Sequence, residues 1–302
     1  AKIYKKKKNY LEAYPIEKIK KSKKSVDPRC EHFGVCGGCS FQNLNYNDQL
    51  SQKNTQVKDL FTRIGGIQTP PINKIIGCDN QYNYRNKMEF SYSSNKWIVN
   101  LDENDNNENL NAFGLHVRGR YDKIVDINEC HINGNLTNKI FKLLKNILSH
   151  EGIEPFNAKN QAGFLRKVII REGYLTNQIL INFITTSSNT KILTPILRTL
   201  TNKFPEIKSI VNTIVKPDSG SSISEKEEIL WGQDYISENI GEYSYKISTN
   251  SFFQTNSMQA KVLYDLIIKI CEFKGNEVVY DLYCGTGSIG IYVANMLKWF
   301  TE

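Results

Sequence analysis

Three cysteines within one short stretch constrain this chain more than any other sequence feature. The stretch contains Cys30, Cys36 and Cys39 in the spacing C-x5-C-x2-C, and only Gly37 and Gly38 separate the last two thiols. Glycines at these positions let the backbone fold tightly enough for both sulfurs to face one centre. Thiolates are the usual ligands of iron–sulfur clusters, four to a cluster, and they also bind zinc. We therefore expect a metal centre here, with a fourth ligand from elsewhere in the chain.

Cys130, which follows a predicted strand, is the candidate for that fourth ligand. Structural zinc sites usually combine two C-x2-C pairs, and this sequence has only one. The spacing therefore favours a [4Fe–4S] cluster, with zinc as the alternative. The remaining cysteines have no partner at a suitable spacing, so Cys78 and Cys271 are expected to be small buried hydrophobic residues and Cys284 is expected to pack.

The composition limits the class of protein. A length of 302 residues suggests two or three domains. Seven cysteines in a chain whose N-terminal lysines precede no apolar segment favour a reducing, cytoplasmic compartment over a disulfide framework. No apolar run is long enough to predict a membrane helix, so we expect no membrane partner, and we expect a monomer.

The charge points to an anionic partner. The formal net charge is +8, and residues 1–24 contain ten lysines against two glutamates, including the run Lys5 to Lys8. Such a surface suits RNA, although a solvated basic face is an equally good interpretation. The predicted strands 2–8 and 10–19 carry exposed tyrosines and resemble half of an OB-like barrel, a common RNA-binding module.

Apolar periodicity predicts an α/β chain with a β-rich centre. The Gly/Ser-rich segment Ser219–Ser224 is expected to be a hinge, and an Asn-rich surface loop is expected at 100–111. We predict helices over 47–64, 135–149, 192–204 and 257–271, and strands over 84–92, 113–120, 121–127, 165–171, 178–185, 207–215, 243–247 and 278–281.

A glycine-rich turn near the end of the chain predicts a ligand site. The predicted strand ends at Asp281, and Gly285, Gly287 and Gly290 follow in the pattern G-x-G-x-x-G at the start of a helix. Glycines allow the main chain to approach a ligand closely, and such a turn after a buried strand is typical of nucleotide sites. The pattern D-x-x-x-G-x-G is the place where methyltransferases hold S-adenosylmethionine.

Several of these motifs together resemble the iron–sulfur class of RNA uracil-C5 methyltransferases. The similar segments cover nearly the whole chain. They are Val26 to Cys39, Phe41-Gln42, Tyr46 to Leu50, Tyr84 to Lys87, Asp126 to Cys130, Gly163 to Arg166, Ser251 to Asn256 and Asp281 to Gly290.

The resemblance implies three domains and two cofactors. Residues 1–25 would be the C-terminal half of a TRAM barrel, 26–228 a central domain that binds RNA and a [4Fe–4S] cluster, and 229–302 the first part of a Rossmann-like methyltransferase domain. The helix 47–64 would pack on the methyltransferase domain. The cluster ligands would be the four cysteines named above. S-adenosylmethionine would be bound by Gln254, Asp281, Tyr283, Gly285, Gly287 and Ser288.

The resemblance also implies a substrate and a limit. The most similar members methylate 23S rRNA, whereas the tRNA-acting branch generally lacks the cysteine loop. In the family, the catalytic cysteine, its general base and the ribose-binding acid follow later in the chain. No position here matches them, and Glu302 does not align with the acid. We therefore expect this chain to be a fragment, truncated at both ends, without methyl-transfer activity of its own.

Three interpretations of function stay open. The first is uridine C5 methylation of 23S rRNA, the second is the same chemistry on tRNA, and the third is a non-catalytic RNA-binding protein stabilised by a cluster. Candidate RNA contacts are the cations and one tyrosine of the basic strands, expected to act mainly through phosphate. They are Lys5, Lys6, Lys7, Lys8, Tyr84, Arg85, Lys87, Arg118, Arg120 and Arg166.

Overall fold

The computed structural model describes residues 1–17, 19–98, 110–217 and 224–297. The hinge predicted at Ser219–Ser224 and the loop predicted at 100–111 lie almost entirely outside the described residues. Contacts divide the chain into two compact units, each formed from two segments. The first unit comprises Ala1–Phe33 with Ser40–Gly77, and the second comprises Gly34–Cys39 with Cys78–Glu302.

The first unit contains a hairpin and a helix. Strands β1 (Lys2–Lys6) and β2 (Leu11–Tyr14) pair antiparallel, as predicted. Helix α1 (Tyr46–Asp59) begins where the Asn45 side chain accepts a hydrogen bond from an amide of the first turn, which is ordinary N-capping. It continues as a π-helical turn over Leu60–Ile64, which confirms the helix predicted to end at 64. The TRAM barrel and the packing of α1 on the methyltransferase domain stay predictions.

The second unit is built on one seven-stranded sheet in the order β5-β4-β3-β6-β7-β8-β9. All neighbouring strands are antiparallel except β7 and β8, which are parallel and are connected through helix α3. The strands are β3 (Lys87–Ser93), β4 (Ala112–His116), β5 (Ile124–Asp126), β6 (Leu165–Gly173), β7 (Gln178–Thr185), β8 (Ile207–Ile214) and β9 (Lys226–Gly232).

Two amphipathic helices supply the apolar layer against this sheet. They are α2 (Asn135–His150) and α3 (Thr190–Lys203), whose buried residues recur at helical spacing. The centre of the core is an aromatic cluster in which the Phe141 ring lies 4.4 Å from that of Phe90 and 4.9 Å from that of Phe113. The fold is therefore mixed α/β with a large central sheet.

A smaller core lies at the end of the second unit. The hairpin of β10 (Tyr235–Ile240) and β11 (Tyr243–Ser248) packs with α4 (Ser257–Cys271) and α5 (Ser288–Val293). Its interior includes Tyr245, Phe253, Tyr264 and Tyr292, all buried. Helix α4 has the bounds that its sequence predicts, and β9 and β10 are strands that the sequence analysis missed.

The strand predicted at 278–281 is wrong, because these residues form no strand in the described structure. Residues 276–281 are irregular, and Val278, Tyr280 and Leu282 are 68%, 79% and 76% exposed. A strand exists only where a neighbouring strand accepts its ladder hydrogen bonds, and the described part of the chain supplies none here. The predicted domain limits stay predictions, and the limit at 228 falls inside β9. None of the described helices has the length and apolar composition needed to cross a membrane.

The aromatic cluster leads to a stability prediction. Phe141 is fully buried, so Phe141→Ala should leave a cavity and lower the free energy of unfolding by roughly 3–5 kcal/mol. The same substitution at Phe61, which is 46% exposed on the first unit, should change it by less than about 1 kcal/mol. Urea unfolding followed by circular dichroism measures both. Equal losses at the two positions would contradict the assignment of Phe141 to the core.

Candidate functional site

The glycine turn has an unusual backbone conformation. Three residues adopt the left-handed region, with φ of 63° at Tyr283, 61° at Gly285 and 67° at Gly287. A Cβ placed on Gly285 would meet no atom of the described residues within 4 Å, so the main chain is accessible there. The Gly287 amide donates to the Cys284 carbonyl over 2.9 Å and closes the turn. The turn thus exposes main-chain groups as the glycine pattern predicts.

The side chains around the turn divide into exposed and supporting ones. Tyr283 is fully exposed, whereas Ser288 is buried. The Ser288 hydroxyl lies 2.8 Å from the Tyr264 hydroxyl, and the Ser288 carbonyl accepts a hydrogen bond from Tyr245 over 3.2 Å. Burial raises the pKa of both tyrosines, which therefore stay protonated donors. Asp281 accepts from the Gly290 amide over 3.2 Å, so its carboxylate bridges the two sides of the turn.

The segment that contains Gln254 lies beside this turn. Thr286, in the middle of the turn, donates from its hydroxyl to the Phe252 carbonyl over 2.9 Å. Phe253 is buried against Tyr245, with ring centroids 5.6 Å apart, while Phe252 is 65% exposed. The structure therefore brings together two motifs that are about thirty residues apart in sequence.

Part of the cysteine loop is fixed to the central sheet. Cys36 forms a β-bridge with Val117, and the Gly37 amide donates to the His116 carbonyl over 2.9 Å. A Cβ on Gly37 would lie 3.1 Å from that carbonyl oxygen, so a larger residue there would crowd the main chain at the end of β4. The Arg118 guanidinium also donates to the Cys39 carbonyl. Segment 34–39 is thus held at the end of β4.

The thiols themselves are placed as follows. Cys130 is buried, and its main chain exchanges hydrogen bonds with the Asn138 side chain. Burial and then the charge of Cys39 raise the pKa of Tyr84, with smaller contributions from Cys78 and Cys130. Cys30 belongs to the first unit. Among the described residues, no three cysteine, histidine or acidic side chains are grouped closely enough to hold a metal ion, and no disulfide forms.

The three remaining cysteines differ from their predictions. Cys271 and Cys284 are exposed, so the burial predicted for Cys271 and the packing predicted for Cys284 are wrong. Cys78 is half-buried.

Most of the predicted RNA-binding cations are engaged within the protein. Lys87 and Lys167 both contact the Glu89 carboxylate, at 2.8 Å and 2.9 Å. Burial opposes ionisation of Glu89, but hydrogen bonds from these lysines outweigh it and lower its pKa to about 2.

The arginines and the N-terminal lysine of the set also have partners. Arg120 pairs with Asp122, Lys5 pairs with Glu12, and Arg166 lies over the Phe156 ring. Arg85 donates to the Lys87 carbonyl over 3.0 Å. Such partners do not exclude contacts with phosphate, and RNA binding by this set stays a prediction.

The contact between Tyr264 and Ser288 leads to a measurable coupling. Tyr264→Phe and Ser288→Ala each remove one partner of a buried hydrogen bond, and each should lower the free energy of unfolding by about 1–3 kcal/mol. The double variant should lose about 1 kcal/mol less than the sum, because the contact can be lost only once. Thermal unfolding of the four proteins measures the cycle. Simple additivity would show that the two hydroxyls do not interact.

No protein-family model matches the chain, but individual proteins do. It is 33% identical over 303 residues to an uncharacterized RNA methyltransferase of Chlorobaculum tepidum, covering 99% of this chain and 62% of that protein. An uncharacterized RNA methyltransferase of Bacteroides thetaiotaomicron is 32% identical over 301 residues, covering 98% of this chain and 66% of the relative. The chain thus spans just under two thirds of the length of these curated relatives.

One solved structure is similar over most of the chain. It is the tRNA (uracil-54, C5)-methyltransferase of Pyrococcus abyssi in complex with S-adenosyl-L-homocysteine. The two share 30% sequence identity with a TM-score of 0.65, and the match covers 91% of this chain and 58% of that protein. The chain is therefore similar in sequence to proteins named RNA methyltransferases, and similar in sequence and fold to a solved uracil-C5 methyltransferase.

Proposed function

We propose that this chain belongs to an enzyme that transfers a methyl group from S-adenosylmethionine to C5 of uridine in RNA. The observation that carries the proposal is the contact between Thr286 and the Phe252 carbonyl, which joins the glycine turn to the segment of Gln254. A solved uracil-C5 methyltransferase bound to S-adenosyl-L-homocysteine, similar over 91% of this chain, supports the proposal.

The residues at the turn fit such a cofactor. Gly285 leaves open space where a side chain would otherwise stand, and Tyr283 is exposed beside it. In this proposal Gln254, Tyr283, Gly285 and Gly287 contact the cofactor. Asp281 and Ser288 hold the turn in place, because their polar atoms are bound to Gly290 and Tyr264. When bound, S-adenosylmethionine supplies an electrophilic methyl group on a sulfonium.

The chemistry of uracil requires two further groups. C5 of uracil is a poor nucleophile, so a thiolate must add at C6 and generate an enolate that attacks the methyl carbon. A base then removes the C5 proton, the thiolate leaves, and 5-methyluridine remains. The target uracil must also be unstacked from its neighbours in the RNA before the enzyme can reach it. We assign neither the thiolate nor the group that removes the C5 proton to a residue of this chain.

Two RNA substrates are in competition. The cysteine loop favours 23S rRNA through the family resemblance, whereas the solved neighbour is named for uracil 54 of tRNA. In either case the basic strands, with Lys5 to Lys8, Tyr84, Arg85, Lys87, Arg118, Arg120 and Arg166, are the proposed contacts to phosphate.

Cofactor binding is the first test. The 302-residue chain should bind S-adenosyl-L-homocysteine in isothermal titration calorimetry, and Gln254→Ala should weaken the binding about tenfold through loss of one polar contact. Gln233→Ala, in an exposed turn between β9 and β10, is the matched control and should bind like the unaltered chain. Equal affinity of the two variants would remove Gln254 from the site.

The transfer itself is tested on RNA. Protein expressed from the complete reading frame should move tritiated methyl groups into 23S rRNA or into tRNA, and digestion of the RNA should yield labelled 5-methyluridine. The RNA that is labelled decides between the two substrates. Retention of RNA without any labelled product would favour the non-catalytic RNA-binding interpretation.

We also propose that Cys30, Cys36, Cys39 and Cys130 hold a structural [4Fe–4S] cluster. The thiol donor set, the loop spacing and the attachment of segment 34–39 to the sheet support this, since clusters are held by four cysteines. The described side chains include no group of three such ligands, so the support for the cluster is the chemistry of the thiols and their spacing. The cluster fixes loops and takes no part in the methyl transfer.

Metal analysis tests this second proposal. Anaerobically purified protein should contain about four irons per chain and absorb in the thiolate-to-iron region, and Cys39→Ser should lose most of both. Cys271→Ser, which changes an exposed cysteine outside the proposed set, should keep them. About one zinc per chain would support the zinc alternative, and metal-free protein would refute both.

A further inference from the structure

We propose that Asn86, Arg171 and Thr286 are positioning residues that hold the segment 249–255 by its main-chain carbonyls. This carbonyl clamp, defined by those three residues, goes beyond the contacts assigned to the cofactor. Its effect on cofactor affinity rests on the proposed function, whereas its effect on the segment does not.

The segment needs outside donors because it forms neither helix nor strand. It connects β11 to α4, and the described backbone between them is irregular. Main-chain carbonyls in such a stretch have no ladder partners, and leaving them buried without donors is costly. Five carbonyls here accept hydrogen bonds from the three clamp residues, namely those of Thr249, Ser251, Phe252, Gln254 and Thr255.

Asn86 makes the densest set of these contacts. Its side-chain amide donates to the Gln254 carbonyl and to the Ser257 hydroxyl, both over 2.9 Å. Its main-chain amide donates to the Thr255 carbonyl over 2.8 Å, and its own carbonyl accepts from the Glu172 amide. An amide side chain offers two donors, which a carboxylate of the same shape does not. The residue is 7% exposed, so water does not replace these partners.

Arg171 holds the other end of the segment. One terminal nitrogen of its guanidinium donates to the carbonyls of Thr249 and Ser251, at 3.2 Å and 2.5 Å. The residue is 5% exposed, and within the described part of the chain its Nε has no hydrogen-bond partner, while burial lowers its pKa to about 10. A buried guanidinium whose hydrogen bonds go to carbonyls costs more than an apolar residue of that length would. The presence of an arginine at this place is therefore better explained by its hold on the segment than by a gain in stability.

A second buried network fixes the clamp in turn. The Ser257 hydroxyl, which receives a hydrogen bond from Asn86, donates to Glu238 over 2.7 Å. Glu238 is fully buried and also accepts from the amides of Tyr174 and Leu175. The donors therefore come from β6, the β6–β7 turn and the residue before β3. Asn86, just before β3, thus sets the position of Gln254, and the glycine turn sets that of Phe252, in both cases through main-chain carbonyls.

The test compares local opening with global stability. Chymotrypsin cleaves after Phe252 and Phe253 only when the segment opens, so the cleavage rate reports local release. Asn86→Ala should accelerate cleavage there roughly tenfold, because it removes two donated hydrogen bonds from a buried site. Thr185→Val is the matched control, since it also removes buried hydrogen bonds, but to Ser187 and Asn212. It should lower the melting temperature without changing cleavage after Phe252.

Thr286 is exposed, so its variants provide a second test in case Asn86→Ala does not fold. Thr286→Val should accelerate the same cleavage several-fold with an unchanged melting temperature, and Thr286→Ser, which keeps the hydroxyl, should restore the original rate. Cleavage at the control rate in both Asn86→Ala and Thr286→Val would overturn the clamp.

Affinity for S-adenosyl-L-homocysteine supplies the second measurement. Asn86→Ala and Thr286→Val should each weaken binding about tenfold, and Thr286→Ser should bind like the unaltered chain. Faster cleavage with unchanged affinity would overturn the positioning role. An unaltered chain that binds no S-adenosyl-L-homocysteine would refute the proposed function together with the affinity effect, while the cleavage rates would still decide whether the clamp exists.

Discussion

The main-chain carbonyls between β11 and α4 are the constraint around which the candidate site is built. An irregular segment that is partly buried must find donors for its carbonyls, and here side chains from distant parts of the sequence provide them. Asn86 lies just before the start of β3, Arg171 lies in β6, and Thr286 lies in the glycine turn. Asn86 and Arg171 connect the segment 249–255 to the central sheet, and Thr286 connects it to the turn. One set of hydrogen bonds therefore sets the position of the Gln254 segment relative to the glycine turn.

The spacing of apolar residues predicted several helices and strands, some with their correct bounds. Strand β7 and helix α4 have the bounds that the sequence predicts, because both are rich in apolar residues for which the fold supplies a packing partner. Strand β7 is buried along almost its whole length, and α4 buries Ala260 and Tyr264 in the small core. The segment 278–281 reads as a buried strand for the same reason, yet it is irregular. Strand formation depends on a neighbour as much as on composition, and Val278 and Tyr280 lie exposed without one among the described residues.

Charge was less informative than the sequence suggested. Lys87, selected as an RNA contact, forms an ion pair with Glu89, and Arg120 does so with Asp122. Such pairs follow from cross-strand and near-neighbour geometry that a list of basic residues does not contain. Arg171, by contrast, was not selected from the sequence, although its guanidinium donates to two carbonyls of the segment 249–255. The signal that could have identified it is its place directly after the apolar run Val168 to Ile170 of β6.

Hydrogen bonds around the glycine turn explain how it keeps an unfavourable backbone conformation. Left-handed conformations at Tyr283, Gly285 and Gly287 carry a conformational cost, greatest at the non-glycine residue. That cost is offset where the surroundings fix both ends of the turn. Asp281 binds the Gly290 amide, and Ser288 is held by two buried tyrosines of the small core. These hydrogen bonds hold the backbone around Gly285 in one conformation, and on the proposed function this order limits the free energy lost when the cofactor binds.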